Sequence, residues 1–168
     1  ITLDAPDGYR NVVIMGRKTW ESIPDKFKPL PGRKNIVLTS KTRYLSDKFR
    51  NIVSTYSTFN SALEVIARTK QIFKYDKVFI IGGEQLYKEA IRHRYCDKIF
   101  ITKVYQKLEC DRFFPKINDA FILTDVSQII EENGIYFRYH CYQSQRPVVG
   151  QSPVVAVAVA GQSSSPVA

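Results

Sequence analysis

The chain has 168 residues and ordinary apolar and charged fractions, which suits one domain with a real core. No apolar run is long enough to span a bilayer and no signal pattern opens the chain, while Cys96, Cys110 and Cys141 lack the pair spacing of a disulfide framework or zinc site. The net charge of +9 fits nucleic acid, a small polyanion drawn into a positive cleft, or a basic surface, but the cations are scattered and no nucleic-acid motif accompanies them.

Pro6, Asp7 and Gly8 are turn residues, so residues 1–11 end in a loop. Asn11–Met15 is a short apolar strand that runs into Gly16, and Arg17–Ser22 is a short helix stopped by Pro24. Cations in a first helical turn oppose the helix dipole, so Arg17 and Lys18 there mark either a solvated first turn or a site for a bound anion. Phe27 to Lys34 is a loop containing Pro29, Pro31 and Gly32, and Asn35–Thr39 and Asn51–Ser54 are further strands. Phe59–Thr69 carries a helical apolar stripe. Lys77–Ile81 is a buried strand broken by Gly82-Gly83, and Glu84–Ala90 is a helix. Lys98–Tyr105 is a strand; Phe121–Thr124 and Val126–Ile130 lead to a turn at Glu131–Gly134, and Ile135–Tyr142 returns as a terminal hairpin.

Strands alternating with helices and a closing hairpin predict a single α/β domain, residues 1–146, with a mostly parallel central sheet flanked by helices and an antiparallel edge. Ligands of such sheets bind beyond the carboxyl ends of the strands, where Gly16 and Gly82-Gly83 fall. Residues 147–168 form an uncharged tail whose middle, Val154–Val159, has strand character. His93 and His140 are far apart in sequence, and no metal site is expected.

Four segments in order, VIMGRKTWESIP, PLPGRKNIVLTS, VFIIGGEQLYKEA and ITKVYQKLECDRFFP, resemble dihydrofolate reductases, the eukaryotic type most closely, over about residues 1–143. The resemblance implies an eight-stranded, mostly parallel sheet and reduction of dihydrofolate to tetrahydrofolate by NADPH. By matching motifs, Gly16, Arg17, Lys18 and Thr19 would contact the cofactor's phosphates. Thr39, Ser40 and Lys41 would lie near the adenosine ribose and its 2′-phosphate. Ile81, Gly82, Gly83, Glu84, Gln85, Leu86 and Tyr87 would pass under the nicotinamide and pyrophosphate, with a cis Gly82–Gly83 bond. For the substrate, Arg33 would hold the glutamate α-carboxylate, Ile23, Phe27 and Leu30 would pack on the pterin and aminobenzoyl groups, and Thr102 would join a network at the pterin. Asp111 would support the lid.

The resemblance also implies a cytoplasmic monomer that takes dihydrofolate and antifolate inhibitors, with no nucleic-acid or membrane partner. Ser57-Thr58 departs from it, because relatives often place a basic residue there near the adenine. ITLDAPDG matches the end of the family's acidic helix and the loop after it. The acidic residue that promotes pterin protonation, the first strand and the lid have no match in these residues, so no catalytic residue is assigned. Val154–Ala160 resembles that first strand, placed after the last one, and would fill the centre of the sheet; the competing expectation is a tail with no structural role. The competing expectations are an NADPH-binding module with little turnover, a related pterin or pyrimidine reductase, and a nucleic-acid binder.

Overall fold

The computed structural model describes residues 2–41, 44–106, 113–146 and 155–162. Strand β1, Arg10–Gly16, is buried through Asn11–Met15. Its apolar run has no polar alternation because both faces are covered, as parallel sheets require. Val12 and Ile14 enter one core, and Val13 and Met15 enter a second on the opposite face. Helix α1, Arg17–Ser22, follows at once and buries Trp20 in the second core.

Strands β2 (Arg33–Leu38) and β3 (Val53–Tyr56) add in parallel on one side of β1. Between them lies a short helix, α2 (Asp47–Arg50), which the apolar periodicity does not reveal. One anchor holds it: Phe49 meets Trp20 edge to face at 5.3 Å. The β3 strand begins two residues later than the sequence suggests. Pairing of Asn35 with Val53 and of Leu38 with Tyr56 sets its register and leaves Ile52 exposed.

Helix α3, Phe59–Phe73, is capped by Thr58, whose hydroxyl accepts from the Ser61 N–H at 3.1 Å. It buries Phe59, Ala62, Leu63 and Ile66, an i, i+3, i+4, i+7 stripe, in the first core. Strand β4 (Tyr75–Ile80) pairs with β1 in parallel, and α4 (Glu84–Arg92) follows, burying Leu86, Tyr87, Ala90 and Ile91.

The remaining half is built around β5 (Cys96–Val104), antiparallel to β8 (Ile135–Ser144). β6 (Phe121–Val126) also pairs with β8, with a register break between Leu123 and Asp125. The expected strand Val126–Ile130 does not form. Ser127 instead crosses to β8, donating its N–H to the Tyr139 carbonyl at 2.9 Å and accepting the Tyr139 N–H on Oγ at 3.0 Å. A short β7, Ile130–Glu132, then pairs with β8 across Asn133 and Gly134, both at positive φ. Glu131 and Glu132 therefore belong to the ladder rather than to the turn.

Strand β9, Val155–Gln162, lies between β4 and β5 and runs parallel to both. The sheet has nine strands in the order β3-β2-β1-β4-β9-β5-β8-β6, with β7 off that path, one more than the eight expected. Asp111 and Val154 lie outside the described residues.

Candidate active site

The two glycine breaks meet at the carboxyl end of the sheet. The Gly16 N–H donates to the Gly82 carbonyl at 2.8 Å, and the Ile81 N–H to the Ile14 carbonyl at 3.0 Å. From these neighbouring ends the chain departs in opposite directions. α1 buries Trp20 in one core, whereas α4 buries Leu86 and Tyr87 in the other. Helices that leave adjacent parallel strands towards opposite faces open a crevice between them. Here it is a cavity of about 830 Å³.

The starts of three helices reach this cavity: Gly16 and Arg17 at α1, Thr58 and Phe59 at α3, Gly83 and Glu84 at α4. Gly16 and Gly83 offer no side-chain cap, and backbone N–H groups at helix starts suit an anion. Thr39 and Ser40, after β2, and Ser57, after β3, add hydroxyls to the lining. The Thr39 N–H donates to the Tyr56 carbonyl at 2.9 Å, which joins those two strand ends.

Close approach requires glycine at one position. Gly82 sits at φ +133°, and a Cβ there would fall 2.9 Å from Thr19 Oγ1. The Gly82–Gly83 peptide is cis, as the family resemblance implied.

The charges at the cavity are arranged in pairs. Arg17 Nη1 donates to Glu21 Oε1 at 2.8 Å, and the Tyr44 hydroxyl donates to the same oxygen at 2.9 Å. The Tyr44 hydrogen bond, then Arg17 and Lys41, hold the Glu21 carboxyl below its ordinary range against a smaller opposing effect of burial. Burial, reinforced by Glu21, pushes the Tyr44 phenol up to about 12. Lys88 pairs with Glu84 at 2.6 Å, while Lys18 is exposed at the cavity wall.

Of the expected cofactor residues, Gly16, Arg17, Lys18, Thr19, Thr39, Ser40, Gly83, Glu84, Gln85 and Leu86 line the cavity. Gly82 lies beneath Thr19, and Ile81 packs partly buried on the second core. Lys41 is not in the lining; its N–H turns back to Thr39 Oγ1 at 3.1 Å. Tyr87 is not in the lining either. It is buried in the first core with Phe114 5.3 Å away, and burial raises its phenol above the ordinary range. A helical residue one position past the cavity-facing Leu86 turns towards the sheet.

The expected substrate residues do not share this cavity. Ile23 and Leu30 pack on the second core, and Phe27 is 54% exposed. Arg33 opens β2 at its amino end, and Thr102 stands on β5 opposite Tyr139 and Ala160. Ser22, Leu38, Phe59 and Glu89 line the cavity without having been expected there. Ser22, Leu38 and Glu89 lie inside the quoted motifs and Phe59 at a helix start, which is the sequence signal that could have found them. Among the described residues no cluster of His, Cys, Asp or Glu could hold a metal, and no helix is long and apolar enough to cross a membrane.

A profile of the dihydrofolate reductase family matches residues 8–146. A bifunctional dihydrofolate reductase-thymidylate synthase of Daucus carota is 40% identical over 143 residues, covering 84% of this chain and 27% of the relative. The chain thus spans about a quarter of the length of the bifunctional plant relatives it matches. A dihydrofolate reductase of Aedes albopictus is 36% identical over 141 residues, 81% of this chain and 75% of that protein. The structure of Schistosoma mansoni dihydrofolate reductase superposes with a TM-score of 0.72 at 35% identity, covering 85% of this chain and 79% of that one. With four ordered motifs, a matching sheet and a crevice built at the two glycine breaks, the chain belongs to the dihydrofolate reductase family.

Proposed function

We propose that the protein reduces 7,8-dihydrofolate to 5,6,7,8-tetrahydrofolate with NADPH, in one-carbon metabolism. The convergence of three helix starts on one crevice carries the reading. A dinucleotide brings several negative oxygens, and this crevice offers backbone N–H groups, hydroxyls and the Arg17 and Lys18 cations in one volume of about 830 Å³. The donor set therefore fits the cofactor. Gly16, Arg17, Lys18, Thr19, Gly83 and Glu84 would hold its phosphates and nicotinamide end. Thr39, Ser40 and Lys41 would hold the ribose end. When bound, NADPH supplies the hydride.

The protein's own work is orientation. Gly82, without a Cβ, lets the backbone pass close under Thr19. Ile23, Phe27 and Leu30 would flank the pterin and aminobenzoyl groups, and Arg33 would hold the glutamate carboxylate. Thr102 would hydrogen-bond at the pterin. The setting we propose is a cytoplasmic monomer, open to antifolates and without nucleic-acid or membrane partners.

NADPH oxidation by the purified chain, with and without dihydrofolate, tests the reading. Dihydrofolate-dependent turnover that Arg33→Ala weakens supports it. The exposure of Phe27 favours a second reading, an NADPH-binding module with little turnover. NADPH binding without dihydrofolate-dependent oxidation would select that one.

A further inference from the structure

We propose that Thr2 and the buried Asn11 and Asn35 are positioning residues that set the Arg33 guanidinium for a carboxylate. The inference rests on the reading of Arg33 as the group that takes the substrate's glutamate tail.

Arg33 is the first residue of β2 and lies beside Asn11 of β1 in the parallel register. A guanidinium on a long side chain loses affinity to its own freedom unless its neighbours hold it. Two hydrogen bonds hold this one. Nε donates to the Pro31 carbonyl at 3.0 Å, and Nη1 donates to Thr2 Oγ1 at 2.7 Å. Among the described residues the other N–H donors of Nη1 and Nη2 have no partner, which leaves them for an anion.

Each of those anchors is fixed by a different asparagine. Asn35 is 1% exposed and fastens the loop that carries Pro31. Its Oδ1 accepts the Leu30 N–H at 3.0 Å, and its Nδ2 donates to the carbonyls of Leu30 at 2.9 Å and Arg33 at 3.0 Å. Asn11 is equally buried and fastens the segment that carries Thr2. Its Nδ2 donates to the Thr2 carbonyl at 3.1 Å and the Asp4 carbonyl at 3.2 Å, while its Oδ1 accepts the Lys77 N–H at 3.0 Å.

The two segments also press on each other. Gly32 turns at φ +70°, and a Cβ there would stand 3.1 Å from Leu3 Cδ2. Buried polar side chains need partners, and here every partner is backbone of the two segments flanking Arg33 or of β4. The arrangement suits a ligand with a fixed carboxylate. A pterin without the glutamate would gain nothing from it.

The test is calorimetric binding of dihydrofolate and of dihydropteroate, which lacks the glutamate, to the full chain. Thr2→Val should weaken dihydrofolate about tenfold, the loss expected when a charge-assisted hydrogen bond goes. It should leave dihydropteroate unchanged, and Thr2→Ser should restore the difference. Asn11→Ala should act in the same direction and add nothing in the Thr2→Val background. Equal weakening of both ligands would mean general loosening and would overturn the inference. If Arg33→Ala weakens dihydrofolate selectively while Thr2→Val does not, the positioning role falls and the reading of Arg33 stands. If Arg33→Ala leaves dihydrofolate unchanged, that reading fails and the inference fails with it.

Discussion

The two halves of the sheet are organised differently. In β3-β2-β1-β4, each strand is followed by a turn or helix start that faces the crevice, so the local chain and the site are nearly the same object. In β9-β5-β8-β6, the strands serve mainly one another, and Thr102 is the only expected site residue among them. Burial along β1 is continuous and two-sided, whereas β6 leaves Ile122, Leu123 and Val126 exposed on an edge. The crevice thus forms where the chain leaves the parallel strands. The other half completes the hydrogen bonding of β4 through β9.

The sharpest way to break this division is to remove residues 147–168. β9 pairs with β4 over Val155–Val157 and with β5 over Val155–Gln162, so its loss leaves ladder groups of two central strands without partners. The expected penalty exceeds a typical domain stability of about 5–15 kcal/mol, and circular dichroism should show no cooperative melting. A truncated chain that melts cooperatively and still binds NADPH would show that the first half stands alone.

The second largest effect belongs to Gly82→Ala. Its positive φ and the approach of Thr19 Oγ1 predict about 1–3 kcal/mol of strain, concentrated at the crevice. NADPH affinity should collapse, as read by calorimetry, with a smaller fall in Tm. Unchanged binding would separate the glycine break from the site.

Much of the first half is legible in the sequence because its signals are local. Val12–Met15 followed by Gly16, and Val78–Ile81 followed by Gly82, give strand, break and helix within a dozen residues each. Arg17–Ser22 forms with the bounds the sequence suggests. Features set by distant partners are not legible. Helix α2 exists because Phe49 reaches Trp20, and β3 starts at Val53 because β2 sets its register. Tyr87 is chemically plausible as a cofactor residue, but its helical phase points it into the core. The strand character of Val154–Val159 is visible, while the place of β9 between β4 and β5 follows only from the pairing needs of both neighbours.

Smaller changes sharpen the contrast. Lys18→Gln removes an exposed cation at the crevice wall and should weaken NADPH roughly three- to fivefold, about 0.5–1 kcal/mol, without altering Tm. Added salt should reduce the difference between the two proteins. Affinity that is unchanged at low salt would remove Lys18 from the cofactor set.

The smallest effect lies in the other half. His140 is buried on β8, and neither ring nitrogen has a hydrogen-bond partner among the described residues. Burial first, then the Lys103 and Arg138 charges, lower its pKa below the ordinary value. The unfolded chain therefore takes up this proton more readily than the folded one. The stability contribution is present above about pH 6.5 and is lost as the pH falls below that value. Tm should drop from pH 7.5 to pH 5.5, and His140→Gln should make the drop shallower. His93, lowered by burial and Arg94, leaves a residual slope. An unchanged slope in the variant would assign the whole effect elsewhere.

The position of β9 also bears on how the protein is made. A ribosome releases β4 and β5 long before Val155, yet neither central strand can complete its ladder until that late segment emerges. The nascent chain must carry two open edges in the middle of its future sheet, one of them beside the crevice. Pairing between residues as far apart as Val78 and Val155 is slow to find, and open edges invite pairing with other chains.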